Sequence, residues 1–326
     1  IDVRVTAVAD LPALTVPSTI TVDEDAQSAA FSIAATLGDT DGSETLTLEI
    51  EDVPIGAVLT DGVHVFVSTS GNTMVDVTNW TLANLSLTPP ADSDVDFRLT
   101  VNATAREGDN LDSAVRSDEI GVVVNAVADQ PTLTVPATVT VDEDARSASF
   151  TISAEVVDTD GSESVSIQIE DVPVGATLSD GTATFVASTG NTSVDITSWN
   201  LTALQVTAPA NSDLDFTLSV TSTATETVGG DQAVNSDSID VVVTAVADQP
   251  SLTVPSTINV DEDTTSAALT ISASLNDTDG SETLAVEVSD VPVGTTLSDG
   301  LNTFTATSGS TTVDVTSWNL ADLTVT

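Results

Sequence analysis

Apolar and polar residues alternate along much of this chain. In Leu46-Thr47-Leu48-Glu49-Ile50 every second residue is aliphatic, and Phe97-Arg98-Leu99-Thr100-Val101-Asn102-Ala103 follows the same rule. A period of two sends successive side chains to opposite faces of a strand, so both segments are predicted to be strands with one buried face. The same reading predicts strands over Pro12–Val22, Ala29–Leu37 and Ile120–Val124. Pro54, Gly56, Asp61 and Gly62 punctuate a turn and a short hairpin around Val65 and Val67. Val75-Asp76-Val77 predicts another short strand, and Trp80–Leu85 a single helical turn.

The whole pattern recurs. Ala7-Val8-Ala9-Asp10 returns at Ala126–Asp129 and Ala245–Asp248, a spacing of 119 residues without a gap. Val22-Asp23-Glu24-Asp25, Asp39-Thr40-Asp41-Gly42-Ser43-Glu44 and Val53-Pro54 with Gly56 keep the same spacing, as do Trp80, Trp199 and Trp318. Short strands with turn signals between them, repeated in tandem, predict an all-β fold. The expected architecture is an elongated array of Greek-key β-sandwiches of the immunoglobulin or cadherin class. Trp80, Phe66 and Phe97 are expected in its core. Residues 1–10 match 120–129 and are read as the last strand of a preceding repeat. The sandwich repeats are then 11–129, 130–248 and 249–326, the third lacking its final strands because Thr326 matches Thr88 and Thr207. These ends suggest an excerpt from a longer array. The rival reading is a filament in which the terminal strand of one molecule completes the next.

Composition narrows the function. There are 51 acidic residues against 5 basic ones, a formal net charge of −46, with no cysteine and no lysine. The basic residues are Arg4, Arg98, Arg106, Arg116 and Arg146. Hydrophobic residues make up 40% of the chain, too many for a disordered acidic tail. Nucleic acid is excluded as a partner because phosphate contacts need Lys and Arg, and direct contact with anionic membrane is disfavoured for the same reason. Without disulfides, the stabiliser of such a domain is expected to be a metal.

Strand direction sorts the acids. The B–C loop (Asp39, Asp41, Glu44), the F–G connection from Glu107 and the incoming linker residue Asp10 fall at one end of a sandwich. The A–B corner (Asp23, Glu24, Asp25) and the E–F loop (Asp92, Asp94, Asp96) fall at the other. Joining successive repeats is therefore expected to bring Glu24, Asp25, Asp94 and Asp96 to Asp129, Asp158, Asp160, Glu163 and Glu226. At the next joint Glu143, Asp144, Asp213 and Asp215 are expected to meet Asp248, Asp277, Asp279 and Glu282. Crowded carboxylates must either hold protons or bind cations. Oxygen-only ligands in number suit calcium, and Asp-x-Asp-Gly places two carboxylates on one loop with glycine at the sharp turn.

Taken together, Ala-Val-Ala-Asp-x-Pro, Asp-Thr-Asp-Gly-Ser-Glu, Val-Pro-x-Gly-Ala and Ser-Asp-x-Asp-Phe resemble the cadherin-like extender repeats of RTX-type bacterial adhesins. The resemblance covers the whole chain. It implies a very large protein exported by a type I system to the cell surface, with many such repeats holding a ligand-binding tip away from the cell. It also implies calcium shared at each joint by the positions of Glu24, Asp39, Asp41 and Asp129 and their copies. Two departures stand out. The linker is only Ala-Asp-Gln-Pro, where cadherins have Asp-x-Asn-Asp-Asn, which implies fewer ions per joint. The glycine-rich calcium nonapeptide is also absent.

Catalytic chemistry is not in view. The single histidine, His64, is replaced by Ala183 and Asn302 in the other copies and reads as an exposed strand residue. Serine and threonine have no histidine base in each repeat. The chain is read as a non-enzyme whose partners are its own neighbouring repeats. Filament formation or carbohydrate binding is the alternative, but the variable F–G loops carry no aromatic platform.

Overall fold

The computed structural model describes residues 1–158 and 160–326, and apart from one 3-10 turn at Leu320–Asp322 its regular structure is entirely strand. No helix among the described residues is long and apolar enough to cross a membrane. In the first repeat the strands are β1 (Ala13–Thr15), β2 (Thr19–Asp23), β3 (Ala34–Thr36), β4 (Glu44–Glu51) and β5 (Val58–Thr60). They continue with β6 (Val65–Val67), β7 (Val75–Asp76), β8 (Ser86–Thr88), β9 (Phe97–Glu107) and β10 (Ser113–Asn125).

One layer is the sheet β2-β10-β9-β4-β7. The other is built from β1-β3 and β6-β5-β8, joined by the bridge Phe31↔Leu85. The predicted strand over Pro12–Val22 is split. Its first part pairs antiparallel with β3 in one layer, and its second runs parallel to β10 in the other, from Thr19↔Gly121 to Asp23↔Asn125. Pro17 sits at the crossing, where it has no amide to offer either ladder. A first strand that changes layers and ends beside the last one closes a Greek-key sandwich of the immunoglobulin and cadherin class.

The second repeat copies this order. Its strands are β11 (Thr132–Thr134), β12 (Thr138–Asp142), β13 (Ser153–Glu155), β14 (Glu163–Glu170) and β15 (Thr177–Ser179). Then come β16 (Thr184–Val186), β17 (Val194–Asp195), β18 (Gln205–Thr207), β19 (Phe216–Glu226) and β20 (Gln232–Thr244). β12 again runs parallel to β20. The third repeat has β21 (Ser251–Thr253), β22 (Ser272–Ser274), β23 (Glu287–Val288), β24 (Thr296–Ser298), β25 (Thr303–Thr305), β26 (Val313–Asp314) and β27 (Thr324–Val325). Residues 257–261, which match β2, form no strand there; they have no ladder partner among the described residues. Residues 1–10 also form no strand; they have no ladder partner among the described residues.

The helical turn predicted at Trp80–Leu85 is a pair of hydrogen-bonded turns in the first repeat, and its copy Leu320–Asp322 is the 3-10 turn. Gly56 meets its expected role at φ 95°, with Ala57 donating to the Pro54 carbonyl at 3.0 Å, a turn that requires positive φ at its third residue.

Two compact units emerge from these strands. One comprises Ile1–Leu133, Ala154–Ile167 and Ser222–Asn235; the other comprises Thr134–Ser153, Gln168–Thr221 and Ser236–Thr326. In the first, Ile50, Leu59, Leu85, Leu87, Leu99 and Ile120 are wholly buried, each worth about 1.5–3 kcal/mol of transfer free energy. Phe66, Trp80 and Phe97 pack partly buried against that core. In the second, Ile169, Leu178, Leu204, Val206, Leu218 and Ile239 take the same places.

Candidate metal centres

The parallel pairing of β2 with β10 sets up the first centre. Both strands end together, and the corner turns at once: the Glu24 amide donates to the Asn125 carbonyl at 3.0 Å and Ala26 to the Asp23 carbonyl at 3.2 Å. Asp25 takes φ 55°, a left-handed conformation that aspartate tolerates better than most residues. Glu24 is thereby turned inward and is only 4% exposed. Its Oε1 accepts the amide of Val127 at 2.6 Å.

The linker that follows is laced by carboxylates. Ala128 donates to Asp231 Oδ2 at 3.1 Å and Asp129 to Glu163 Oε1 at 2.6 Å, so amides of three successive residues end on three different acids. The pattern recurs where Ala9 donates to Asp112 and Asp10 to Glu44, and again where Val246 donates to Glu143 and Asp248 to Glu282.

The Asp-x-Asp-Gly loop is held by its own side chains. Asp158 Oδ1 accepts the Asp160 amide at 2.8 Å, Asp160 Oδ1 accepts the Ser162 amide at 2.7 Å, and Ser162 Oγ donates to Asp158 Oδ2 at 3.1 Å. Asp39 and Asp41 make the same turns at the Asp41 and Ser43 amides. This folding buries Asp158 and turns it toward Glu24. Glu24, Asp158 and Glu226, all buried, each bring one oxygen within 4.8 Å of the other two. Asp25, Asp92 and Asp129 form a second, more exposed group in the same unit. In the other unit Glu143, Asp277 and Asp279 form a third.

These groups are short of partners. Among the described residues, the buried side-chain polar atoms without a hydrogen bond are seven glutamate oxygens: Oε2 of Glu24, Glu44, Glu107, Glu143, Glu163, Glu226 and Glu282. Each was expected at a metal site. Burial, then the charges of Glu226, Asp158 and Asp25, pushes the Glu24 carboxyl up to about 7, although the Val127 amide pulls the other way. Burial also raises Glu226, helped by Glu163, and raises Glu107, helped by Glu44. Asp129 is raised by burial and by Asp25, Asp92 and Asp158. Arginine relieves none of this; the one arginine ion pair among the described residues is the exposed Arg98–Glu119 contact at 2.8 Å.

The remaining expected residues fall in several places. The E–F loop reaches the Asp-x-Asp-Gly loop through its backbone, with the Asp94 amide donating to Asp160 and the Asp213 amide to Asp279 Oδ2 at 3.3 Å. Asp96 and Asp215 lie outside the three groups; one oxygen of each accepts the amide of Val124 or Val243 and fastens the last strand. Asp144 accepts the Asn211 amide at 3.0 Å, as Asp25 accepts that of Asp92 at 3.1 Å. Asp92 was expected in the E–F loop with Asp94 and Asp96 but not among the ligands, and its copy is Asn211. Two further acids, Asp112 and Asp231, were not expected. They sit in the variable F–G hairpins, where the copies differ most.

Such oxygen-only groups can hold a hard divalent cation, with buried carboxylates supplying charge and loop carboxylates completing the shell. The orphaned oxygens fit that role, since a buried charge without a partner is strongly unfavourable. His64, by contrast, sits beside β6 with Nδ1 3.0 Å from Asp61 Oδ2 and its ring stacked on Trp80 at 5.5 Å.

No protein-family model and no curated protein matches the chain. Among solved structures it is similar to human protocadherin-24 EC1-2, with 13% identity and a TM-score of 0.36 over 73% of this chain and 100% of that one. It is also similar to Drosophila N-cadherin EC1-3, with 17% identity and a TM-score of 0.22 over 73% of this chain and 69% of that one. The fold class rests on the strand order and on the parallel pairing of β2 with β10, which are the chain's own.

Proposed function

We propose that this chain is a calcium-stabilised spacer segment of a secreted, cell-surface bacterial adhesin of the RTX type. Its cadherin-like extender repeats would project a ligand-binding tip from the cell. The observation that carries this reading is the set of seven buried, unpartnered glutamate oxygens, all of them where successive repeats or their linkers meet. Acids held in this way destabilise the fold unless a cation joins them. Calcium suits them better than magnesium, which keeps its waters and demands a near-octahedral shell. Glu24, Asp158, Glu163 and Glu226 would hold one ion, with Asp160 at its edge; Glu143, Asp277, Asp279 and Glu282 would hold another. Each ion would tie an A–B corner to a following Asp-x-Asp-Gly loop and fix the linker between them.

Sites of this kind, lined by loop carboxylates and laced to backbone, belong with the weak calcium modules that fill outside the cell. Calorimetric titration with calcium tests the reading. Saturable binding of more than one equivalent per chain, with little response to magnesium, is expected. Heat signals that do not saturate, or equal responses to both ions, would contradict it.

A further inference from the structure

Glu44 and Glu107 face each other directly in the antiparallel ladder of β4 and β9. Like charges opposite one another in a sheet repel. Here both are also buried, Glu44 to 7% and Glu107 to 3% exposure, and both keep Oε2 without a hydrogen bond. Glu44 Oε1 holds the Asp10 amide at 2.6 Å, which fixes the side chain inward. Arg106, next to Glu107 on β9, alternates to the exposed face and offers no relief. Asp39 and Asp41 lie on the loop that leads into β4, close enough to add to the repulsion at Glu107.

This arrangement differs from the centre around Glu24. There the buried acids come from the corner of one repeat and the head of the next. The Glu44–Glu107 pair needs nothing from a second repeat: two adjacent strands of one sheet make it, and the linker amide orients it. Glu163 and Glu226 hold the same positions at the start of β14 and the end of β19.

We infer that this cross-strand glutamate pair is a divalent-cation site in its own right, loaded by one repeat without the corner glutamate of its neighbour. The inference rests on the calcium reading above and adds an order of assembly to it. The head of a repeat takes the ion first, and a corner glutamate such as Glu24 then joins an ion already in place.

Calcium titration of the full chain, as wild type, E44Q/E107Q and E24Q, tests this. E44Q/E107Q is expected to lose one calcium equivalent and leave the others unchanged. E24Q is expected to keep the wild-type number, with one affinity weakened on the order of tenfold as the ligand charge count falls. Melting in chelator supplies a control for folding: E44Q/E107Q should melt above wild type there, because the repelling pair is gone, and below it in calcium. Should the double variant fold poorly, E107Q alone is expected to weaken one equivalent. An unchanged calcium number in E44Q/E107Q, or an equivalent lost outright in E24Q, would overturn the inference while leaving calcium binding intact. A wild-type chain that binds no calcium would remove the calcium reading itself.

Discussion

Asp61, Asp180 and Asp299 are matched copies of a carboxylate whose environment is the reverse of the glutamates'. Asp61 is 3% exposed, but its oxygens accept the amides of Val63 at 2.9 Å, His64 at 2.7 Å and Thr81 at 2.6 Å. It pins the β5–β6 hairpin to the segment after β7, and the Thr81 and His64 amides hold its carboxyl well below the usual range. Asp61→Asn keeps the shape but presents an NH2 group to at least one donating amide. It is expected to lower the melting temperature by several degrees, and no loss would show that the carboxylate charge is unimportant. The two kinds of acid give opposite pH dependences. A depressed carboxyl stabilises the fold above the ordinary aspartate value of 3.8, and that stability is lost as pH falls below it. The raised Glu24 carboxyl works in the other direction: the folded chain holds its proton from pH 4.5 up to about 7, so stability falls as pH rises through that window. Calcium-free protein is therefore expected to melt highest in mildly acidic buffer and lower at neutral pH. A melting temperature that keeps rising to neutrality would contradict the proton count at Glu24.

Among the elements, those with a clean period of two were the most legible. β4 and the inner half of β9 were readable from Leu46–Ile50 and Leu99–Ala103 because one face is core and the other is not. The outer half of β10 was not, since Arg116, Ser117, Asp118 and Glu119 are all exposed and it is held by ladder hydrogen bonds to β9 rather than by a buried stripe. The split of the first strand was equally hidden, because Val16 and Ile20 keep the pattern across Pro17 while the strand changes layers. The Asp-x-Asp-Gly loop was legible as chemistry. Its burial at Asp158 was not, because that depends on Glu24, more than a hundred residues earlier. Two variants separate packing from ion binding at this scale. Leu99→Ala, in the core of β9, is expected to cost about 2–5 kcal/mol in calcium and in chelator alike. D158N/D160N keeps the Oδ1 atoms that accept the loop amides and removes two charges, although it also places an NH2 group where the Asp94 amide donates. It is expected to destabilise the chain more in calcium than in chelator. If both variants lose the same stability under both conditions, the loop is a structural turn and not a ligand.

For the molecule as a whole, a net charge of −46 with five arginines opposes compaction wherever acids gather. The fold concentrates that problem. It leaves most acids in loops and linkers, satisfies many of them with backbone amides, and leaves, among the described residues, seven buried glutamate oxygens without a protein donor. The repeat and the positions of all seven glutamates were visible from the 119-residue spacing. Which oxygens are left over was not, because that is decided by which linker amide each carboxylate captures. Ligand binding to the folded state alone stabilises it by an amount that grows with ligand concentration. Thermal unfolding of the intact chain at neutral pH, in millimolar calcium and then in chelator, is the most direct test. A melting temperature that rises by several degrees with calcium, and much less with magnesium, is expected; coincident curves in calcium and chelator would contradict cation binding by the buried glutamates.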